Sequence, residues 1–331
     1  MADGTRASPG AASAFAAYVA LWVGYLAIGQ ATQQRNIVAG LWVTEILAIA
    51  LPAILAIRLT GLPARPFLGL RAPRRAHLVA AVLVAVANQP VVSFVTWASR
   101  TLSPEPWVRE FDLLQRALDL YFSQQALPMV ITVAVAAPLG EELFFRGYAV
   151  PAFARSWGPL AACIVTGAMF SLLHGNKIGF AGLWEIGILL AALRVWSGSL
   201  WPSILCHATN NAVAGAAFLL GWEDPDIPPP AWLLALGAVL LAAGIALLPR
   251  VLRRAPPAAA VDGPAPEAPH TSSSRLLQAI WLGLQAIWVG ALILGIAQLR
   301  GMVADLPMLV WLVLSALAVI LTSVAWWLES V

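Results

Sequence analysis

Charged side chains are scarce in this sequence: they make up 11% of its 331 residues, whereas hydrophobic residues make up 60%. A typical soluble domain carries about 25% charged residues, so this chain lacks the polar surface that a water-soluble core of its size requires. The net charge is only +3, and the arginines lie between apolar runs instead of forming a stripe. This pattern excludes the usual footprint of a nucleic-acid-binding protein, and the composition predicts a protein whose solvent is the lipid bilayer.

Cysteine is also scarce, with only Cys163 and Cys206 in the chain. Both lie in apolar segments, which argues against a disulfide framework and against a zinc–thiolate site. The first apolar run follows residues 1–10, lasts about 20 residues and lacks a compact basic start. Because the core of a signal peptide is shorter than this run, we expect a retained membrane helix.

Long apolar runs dominate the chain, and a transmembrane helix needs roughly 20 such residues. The sequence therefore predicts an all-α, polytopic transmembrane helix bundle with about eight to ten transmembrane helices. The candidate spans are approximately 12–32, 37–57, 77–98, 126–150, 157–174, 179–196, 200–221, 231–249, 276–298 and 307–328.

The composition of the chain divides it into five regions. They are 1–125, with N-terminal spans and an amphipathic segment; 126–222, a core that carries the motifs described below; 223–254, with one further span; 255–274, a flexible Pro/Ala-rich linker; and 275–331, a C-terminal helix pair. The amphipathic segment, 104–124, follows Ser103, a suitable helix cap. It fits either a helix on the membrane surface or a small soluble helix packed on the bundle.

Arginines set the expected orientation, because short cytoplasmic loops are enriched in Lys and Arg. The segment 58–75 carries five arginines, and residues 250–254 carry three more. The acidic run 223–226 is expected on the outer side, which places both termini of a ten-span chain in the cytoplasm. The Ala/Arg-rich, Lys-poor composition favours the cell (inner) membrane of a bacterium.

Three ionisable side chains lie within six residues of one another in the fourth apolar run: Glu141, Glu142 and Arg146. An ion at the bilayer centre costs about 2.5–3.5 kcal/mol, so these groups need partners. Glu142 and Arg146 are four residues apart on one helix face and are predicted to form a structural ion pair. Glu141 points about 100° away and is left free for another task. The alternative is that all three groups reach water at the headgroup level.

Two of the four histidines also lie in apolar segments. Phe170 and His174 are one helical turn apart, so the phenyl ring can support the imidazole. His207 and Asn211 share a helix face at the same spacing. Each pair also has a purely structural explanation, either a histidine at a helix end or a His–Asn contact that pins two helices.

Together these groups form an acid–base constellation drawn from three helices, namely Glu141, His174, His207 and Asn211. A carboxylate shielded from water suits a general base, and a nearby histidine can share the water or protonate the leaving amine. A second histidine with an asparagine can donate to the developing oxyanion. A serine or cysteine nucleophile is less convincing, because the chain has no G-x-S-x-G motif and Cys206 points about 100° away from its neighbour His207.

The order of these motifs resembles the CPBP family, which includes the CAAX proteases and bacteriocin-processing enzymes. The motifs are Glu141-Glu142-x-x-x-Arg146, Phe170-x-x-x-His174 and His207-x-x-x-Asn211. The resemblance covers about residues 128–220 and includes the run 198–201 before the last motif.

The resemblance implies an intramembrane endopeptidase that cleaves a membrane-associated protein or peptide. Glu141 would activate water with His174 as its partner, while His207 and Asn211 would stabilise the oxyanion. The family is described both as metalloproteases and as glutamate proteases, and a metal-dependent reaction would use Glu141, His174 and His207 as zinc ligands. The chain lacks the H-E-x-x-H helix of zincins, and we expect no cofactor.

Two other functions are consistent with ionisable groups inside a membrane. A transporter or channel would use them as a proton or ion site and would be expected to repeat them in both halves, whereas the motifs lie in one half only. The other alternative is a non-catalytic immunity or scaffold member of the same family. For a protease, the candidate substrates are prenylated CAAX peptides, leader peptides and C-terminal sorting tails, and the bacterial composition favours a leader or a tail.

The ten-span topology leaves one conflict. It places Glu141 and His207 in the cytoplasmic half of the membrane but His174 toward the far end of its helix. A break at residues 138–140, a tilted helix or a re-entrant segment would resolve it.

Overall fold

The computed structural model describes residues 8–221 and 225–252, and the regular structure in those ranges is entirely helical. The helices are α1 (Ala11–Gln33), α2 (Ile37–Thr60), the short α3 (Ala64–Phe67), α4 (Arg75–Leu102), α5 (Glu105–Trp157), α6 (Pro159–Leu173), α7 (Phe180–Ser197), α8 (Trp201–Leu219) and α9 (Ala231–Leu252). The prediction of an all-α bundle is confirmed. The predicted linker 255–274 and the C-terminal pair lie outside the described residues.

Five of the described helices, α1, α2, α4, α5 and α7, are long and apolar enough to cross a membrane. A helix is found at each of the first eight predicted spans, but α6 has only 15 residues and α8 carries the polar residues of the last motif. Large apolar side chains cover the outer surface; Leu59 and Leu160, for example, are 88% and 73% exposed. Such a surface suits lipid as the solvent.

Three of the prolines inside α2 and α5 follow a π-helical stretch, and none of these three ends its helix. Thr44–Ala50 precedes Pro52, Thr132–Ala136 precedes Pro138, and Leu143–Ala149 precedes Pro151. Wide turns of this kind shift the backbone hydrogen-bond partner by one residue and so tolerate the N–H that proline lacks. The chain is therefore helical through residues 138–140, and α5 continues to Trp157 instead of ending near residue 150 as predicted.

The direction of α5 changes at Gln125, whose φ and ψ of −140° and 48° are not helical. The part before this kink is the predicted amphipathic segment 104–124. Its Asp112 pairs with Arg100 of α4 at 2.9 Å, and its Glu110 pairs with Lys177 in the α6–α7 loop. These contacts attach the segment to the helices of the bundle.

The long second part of α5 contacts α1, α2, α6 and α8. After Gly158, with φ of 84°, α6 folds back along α5. Glu141 lies 17 residues before Gly158 and His174 lies 16 residues after it, which is about 25 Å along each arm. The hairpin therefore brings Glu141 and His174 to the same level. Glu141 lies in the middle of a long helix, so the separation of Glu141 from His174 that the ten-span topology predicted is not found.

The centre of the bundle is aromatic. Phe144, Phe145, Tyr148, Phe153 and Phe170 are almost completely buried.

Helices α6 and α7 approach so closely that a Cβ at Gly187 would lie 2.7 Å from the Cα of Gly167. Small residues at helix contacts allow such tight packing inside membranes, and this packing places the carbonyl of Gly187 next to the site described below.

Candidate active site

The side chains of Glu141, His174 and His207 meet between α5, the end of α6 and α8. Glu141 Oε1 lies 3.9 Å from His174 Nε2, and Glu141 Oε2 lies 3.7 Å from His207 Nε2. The side chains of Glu141 and His207 are 8% and 5% exposed, whereas that of His174 is 31% exposed. The group is therefore enclosed on the Glu141 and His207 side and open at His174.

The hydrogen bonds of the two imidazoles fix which ring nitrogen faces Glu141. His174 Nδ1 lies 2.9 Å from the backbone carbonyl of Phe170, and because a carbonyl only accepts, Nδ1 carries the hydrogen. His207 Nδ1 donates to Glu142 Oε1 at 2.9 Å. In their neutral forms both rings therefore direct an unprotonated Nε2 toward Glu141.

Glu142 and Arg146 form the ion pair predicted from their spacing. Arg146 Nη1 donates to Glu142 Oε1 at 2.7 Å, and both side chains are 0% exposed. Arg146 Nη2 also donates to the carbonyl of Gly187 at 2.9 Å, so the guanidinium joins α5 to α7. The alternative in which Glu141, Glu142 and Arg146 reach water is wrong, because all three are buried.

Phe170 packs against both histidines and the arginine of the site. Its ring centroid lies 4.8 Å from that of His174 and 5.6 Å from that of His207. The guanidinium carbon of Arg146 lies 4.6 Å from the same ring, within the range of a cation–π contact. Phe170 thus supports both imidazoles by its ring and one of them by its backbone carbonyl.

Asn211 is placed differently from the other predicted site residues. Its Nδ2 donates to the carbonyl of Val133 at 2.8 Å, and its Oδ1 accepts from Asn210 Nδ2 at 3.3 Å. Asn210 Oδ1 in turn accepts from Gln89 of α4 at 2.7 Å. The structure places Asn211 one turn after His207, but within the described residues it makes no hydrogen bond to Glu141 or to either histidine.

A further carboxylate, Glu45 of α2, lies beside the site and was not among the predicted site residues. It is 6% exposed, and its Oε2 has no hydrogen-bond partner among the described residues. A Cβ at Gly140 would lie 2.5 Å from this Oε2, so the carboxylate packs on α5 one residue before Glu141. The sequence signal for Glu45 is a single carboxylate inside an apolar run, which no motif includes.

The donor atoms do not form a three-ligand metal site as arranged here. Within the described part of the chain, no group of three or more His, Cys, Asp or Glu side chains is placed to hold a metal ion. The carboxylate of Glu141 instead keeps one buried oxygen, Oε2, without a hydrogen-bond partner among these residues. A buried carboxylate oxygen in this state is available to a water or a substrate group.

Comparison with known proteins identifies the segment that contains these motifs. Residues 123–213 match the family model described as "Type II CAAX prenyl endopeptidase Rce1-like". We call residues 123–213, which match this family model, the Rce1-like domain. The match confirms the resemblance to the CAAX proteases, and the Rce1-like domain includes Glu141, His174, His207 and Asn211. The Rce1-like domain begins at residue 123, next to the kink at Gln125. Glu45 of α2 therefore lies outside this domain.

A second similarity is to an Escherichia coli protein described as "Uncharacterized 24.3 kDa protein". It is 30% identical over 95 residues, which is 26% of this chain and 44% of that protein. The chain thus spans less than half the length of this curated relative. No solved structure matches the chain.

Proposed function

We propose that this Rce1-like protein is an intramembrane endopeptidase that hydrolyses a peptide bond with a water activated by Glu141. One observation carries the proposal: the two oxygens of Glu141 each face an imidazole Nε2, at 3.9 and 3.7 Å. Both imidazoles are held by Nδ1 bonds to fixed acceptors. A buried base between two oriented histidines is the arrangement that general acid–base hydrolysis requires.

The separations between Glu141 and the imidazoles suit a water. They are too long for direct hydrogen bonds, but a water beside the line that joins Glu141 Oε1 and His174 Nε2 can bond to both atoms at about 2.8 Å. Glu141 takes one proton from this water as its oxygen attacks the carbonyl carbon of the substrate. The proton then passes to the amide nitrogen, directly or through His174 Nε2, as the C–N bond breaks and the amine leaves.

The oxyanion of the tetrahedral intermediate needs hydrogen-bond donors. The Nδ1 hydrogen of His207 is committed to Glu142, so His207 can donate from Nε2 only as an imidazolium. The hydrogen bond to Glu142, at 2.9 Å, holds the ring so that Nε2 faces the site. Asn211 has a second amide hydrogen besides the one given to Val133, and we assign that hydrogen to the oxyanion as well.

The proposed substrate is a membrane-associated protein or peptide. The Rce1-like domain lies among helices that are long and apolar enough to cross a membrane, and Glu141 is about 25 Å from the end of its helix. A substrate anchored in the bilayer can reach such a depth. Because the Ala/Arg-rich, Lys-poor composition favours a bacterial source, we propose a leader peptide or a C-terminal sorting tail rather than a prenylated peptide.

The test is to compare the termini of membrane and surface proteins in cells that produce the natural chain or Glu141→Gln at equal abundance. We expect at least one new terminus that appears with the natural chain and is absent with Glu141→Gln. Glu110→Gln, an exposed carboxylate of α5, is the matched control and should leave that terminus in place. Identical termini in all three samples would contradict the proposal.

A further inference from the structure

Two connecting segments clasp each other at one end of the bundle. The segment between α2 and α4 lies against the turn between α7 and α8. The backbone N–H of Leu200 donates to the carbonyl of Gly69 at 2.9 Å, and Ser199 Oγ donates to the carbonyl of Arg71 at 2.7 Å. We call this contact the loop clasp.

The loop clasp holds two arginine side chains against glycines. Arg194, 8% exposed, donates from Nη2 to the carbonyl of Phe67 at 3.2 Å. Its guanidinium packs directly on Gly69, because a Cβ atom added at Gly69 would lie only 2.6 Å from Arg194 Cζ. Arg71 donates to the carbonyl of Ser197 at 3.4 Å, and its guanidinium occupies the space that a Cβ at Gly198 would need.

Neither arginine has an acidic partner among the described residues. Residues 58–77 and 194–207 together contain six arginines and no Asp or Glu. Arg71 and Arg194 are close enough to repel each other, and Arg194 Nε is buried without a hydrogen-bond partner in the described part of the chain. A buried cation beside a like charge is unfavourable unless an anion neutralises it.

An apolar groove begins close to the loop clasp. It has a volume of about 780 Å³ and lies between the first half of α1 and the second half of α2. Ala17, Ala20, Leu51 and Leu55 line it, together with Tyr148. The ring of Tyr148 lies 6.1 Å from that of Phe67, whose carbonyl accepts the hydrogen bond from Arg194. An apolar chain and an anion can therefore be bound next to each other.

We propose that the loop clasp and this groove bind one anionic phospholipid, whose phosphate pairs with Arg71 and Arg194 and whose acyl chain lies in the groove. Guanidinium groups bind phosphate oxygens through paired, charge-assisted hydrogen bonds. Basic pockets between transmembrane helices at the membrane surface are known to suit anionic headgroups. The proposal is independent of the proposed protease activity, because it concerns binding alone.

The test of the headgroup uses the purified full chain in detergent, with binding followed by native mass spectrometry and by thermal unfolding. Phosphatidylglycerol should bind at least about tenfold more tightly than phosphatidylcholine, as expected when charge-assisted hydrogen bonds decide the affinity. Arg71→Gln should remove that preference and leave the helices folded, since Arg71 is exposed and lies between α3 and α4. Arg109→Gln, whose side chain is 69% exposed outside the clasp, is the control. Equal affinity for the two lipids, or no effect of Arg71→Gln, would overturn the proposal.

The test of the acyl chain separates a lipid from a soluble phosphate. Glycerol 3-phosphate should bind much more weakly than phosphatidylglycerol. Ala20→Phe fills the groove from an exposed position on α1 and should weaken lipid binding without changing glycerol 3-phosphate binding. Val23→Phe, at a 61% exposed position outside the groove lining, should change neither. Equal binding of glycerol 3-phosphate and the lipid would show that the occupant is a soluble phosphate and would refute the lipid assignment.

Discussion

Glu141 and His174 lie on opposite arms of the α5–α6 hairpin, almost equally far from its turn at Gly158, and Glu141 Oε1 is 3.9 Å from His174 Nε2. The two arms belong to one hairpin, so the packing of α5 on α6 sets this distance. Phe170, one turn before His174, holds the imidazole by its carbonyl and by its ring. The account of catalysis depends on this relationship.

Replacing His174 with glutamine should lower activity without lowering stability. Loss of a general acid–base group typically costs about 10²–10⁴-fold in rate. The side chain of His174 is 31% exposed, so its replacement leaves no large cavity. The measurement is the cleavage rate and the unfolding temperature of His174→Gln beside Lys177→Gln, a change in the adjacent loop. An equal rate for the two variants would remove His174 from the mechanism.

Replacing Glu142 should act first on stability. Removal of one partner from a buried ion pair costs about 3–5 kcal/mol, and Glu142 also accepts from His207. Glu142→Ala should therefore reduce the amount of folded protein in the membrane and lower the unfolding temperature. Glu110→Gln, which breaks the exposed pair with Lys177, should change stability by at most about 1 kcal/mol, and Glu141→Gln should leave it nearly unchanged. Equal unfolding temperatures for Glu142→Ala and Glu141→Gln would contradict the assignment.

Adding a methyl group at Gly140 should push α5 away from Glu45. The new Cβ would lie 2.5 Å from Glu45 Oε2 and 2.8 Å from its backbone oxygen, and overpacking of this kind typically costs about 1–3 kcal/mol. Glu45→Ala in the same chain should restore part of the stability, because only the side-chain contact is relieved. Gly215→Ala is the control, since the nearest atom to its Cβ is 4.0 Å away. Thermal unfolding of the three variants tests this, and an unaffected Gly140→Ala protein would show that Glu45 does not pack there.

The reaction should not require zinc. Using Glu141, His174 and His207 as ligands would leave two carboxylates as candidate bases: Glu142, already paired with Arg146, and Glu45, which packs on α5 at Gly140. The measurement is elemental analysis of active, purified protein, followed by an activity assay after prolonged chelation. We expect activity to persist in protein with substoichiometric metal. Stoichiometric zinc whose removal abolishes activity, and whose return restores it, would decide for the metal-dependent reaction.

The contacts that the sequence could predict are those within one helix. Glu142 and Arg146 are four residues apart, so their pairing follows from helical geometry. The bond from His207 to Glu142 joins residues 65 positions apart, and no periodicity fixes how α8 rotates toward α5. Spacing also leaves open whether Asn211 bonds to the site or, as found, to the carbonyl of Val133.

The length of α5 was predicted wrongly for a local reason. Pro151 and Arg155 resemble the end of a span, but the π-helical stretch Leu143–Ala149 lets the helix continue past the proline. Wide turns have no clear sequence signature, so the level of Glu141 in the bundle could not be derived from apolar run lengths alone. Glu45 was missed because its significance depends on α2 packing against Gly140, which is a contact between distant segments.

The most direct test of the central claim is the ratio of kcat/KM for the natural chain and Glu141→Gln, measured on a substrate identified from the lost terminus. Both proteins should be reconstituted in the same lipid at equal folded concentration, with Glu110→Gln beside them. The account predicts a loss of about 10²–10⁴-fold or more for Glu141→Gln, with an unchanged unfolding temperature and full activity of Glu110→Gln. A Glu141→Gln protein that is folded and cleaves the substrate within a few-fold of the natural rate would contradict Glu141 as the base.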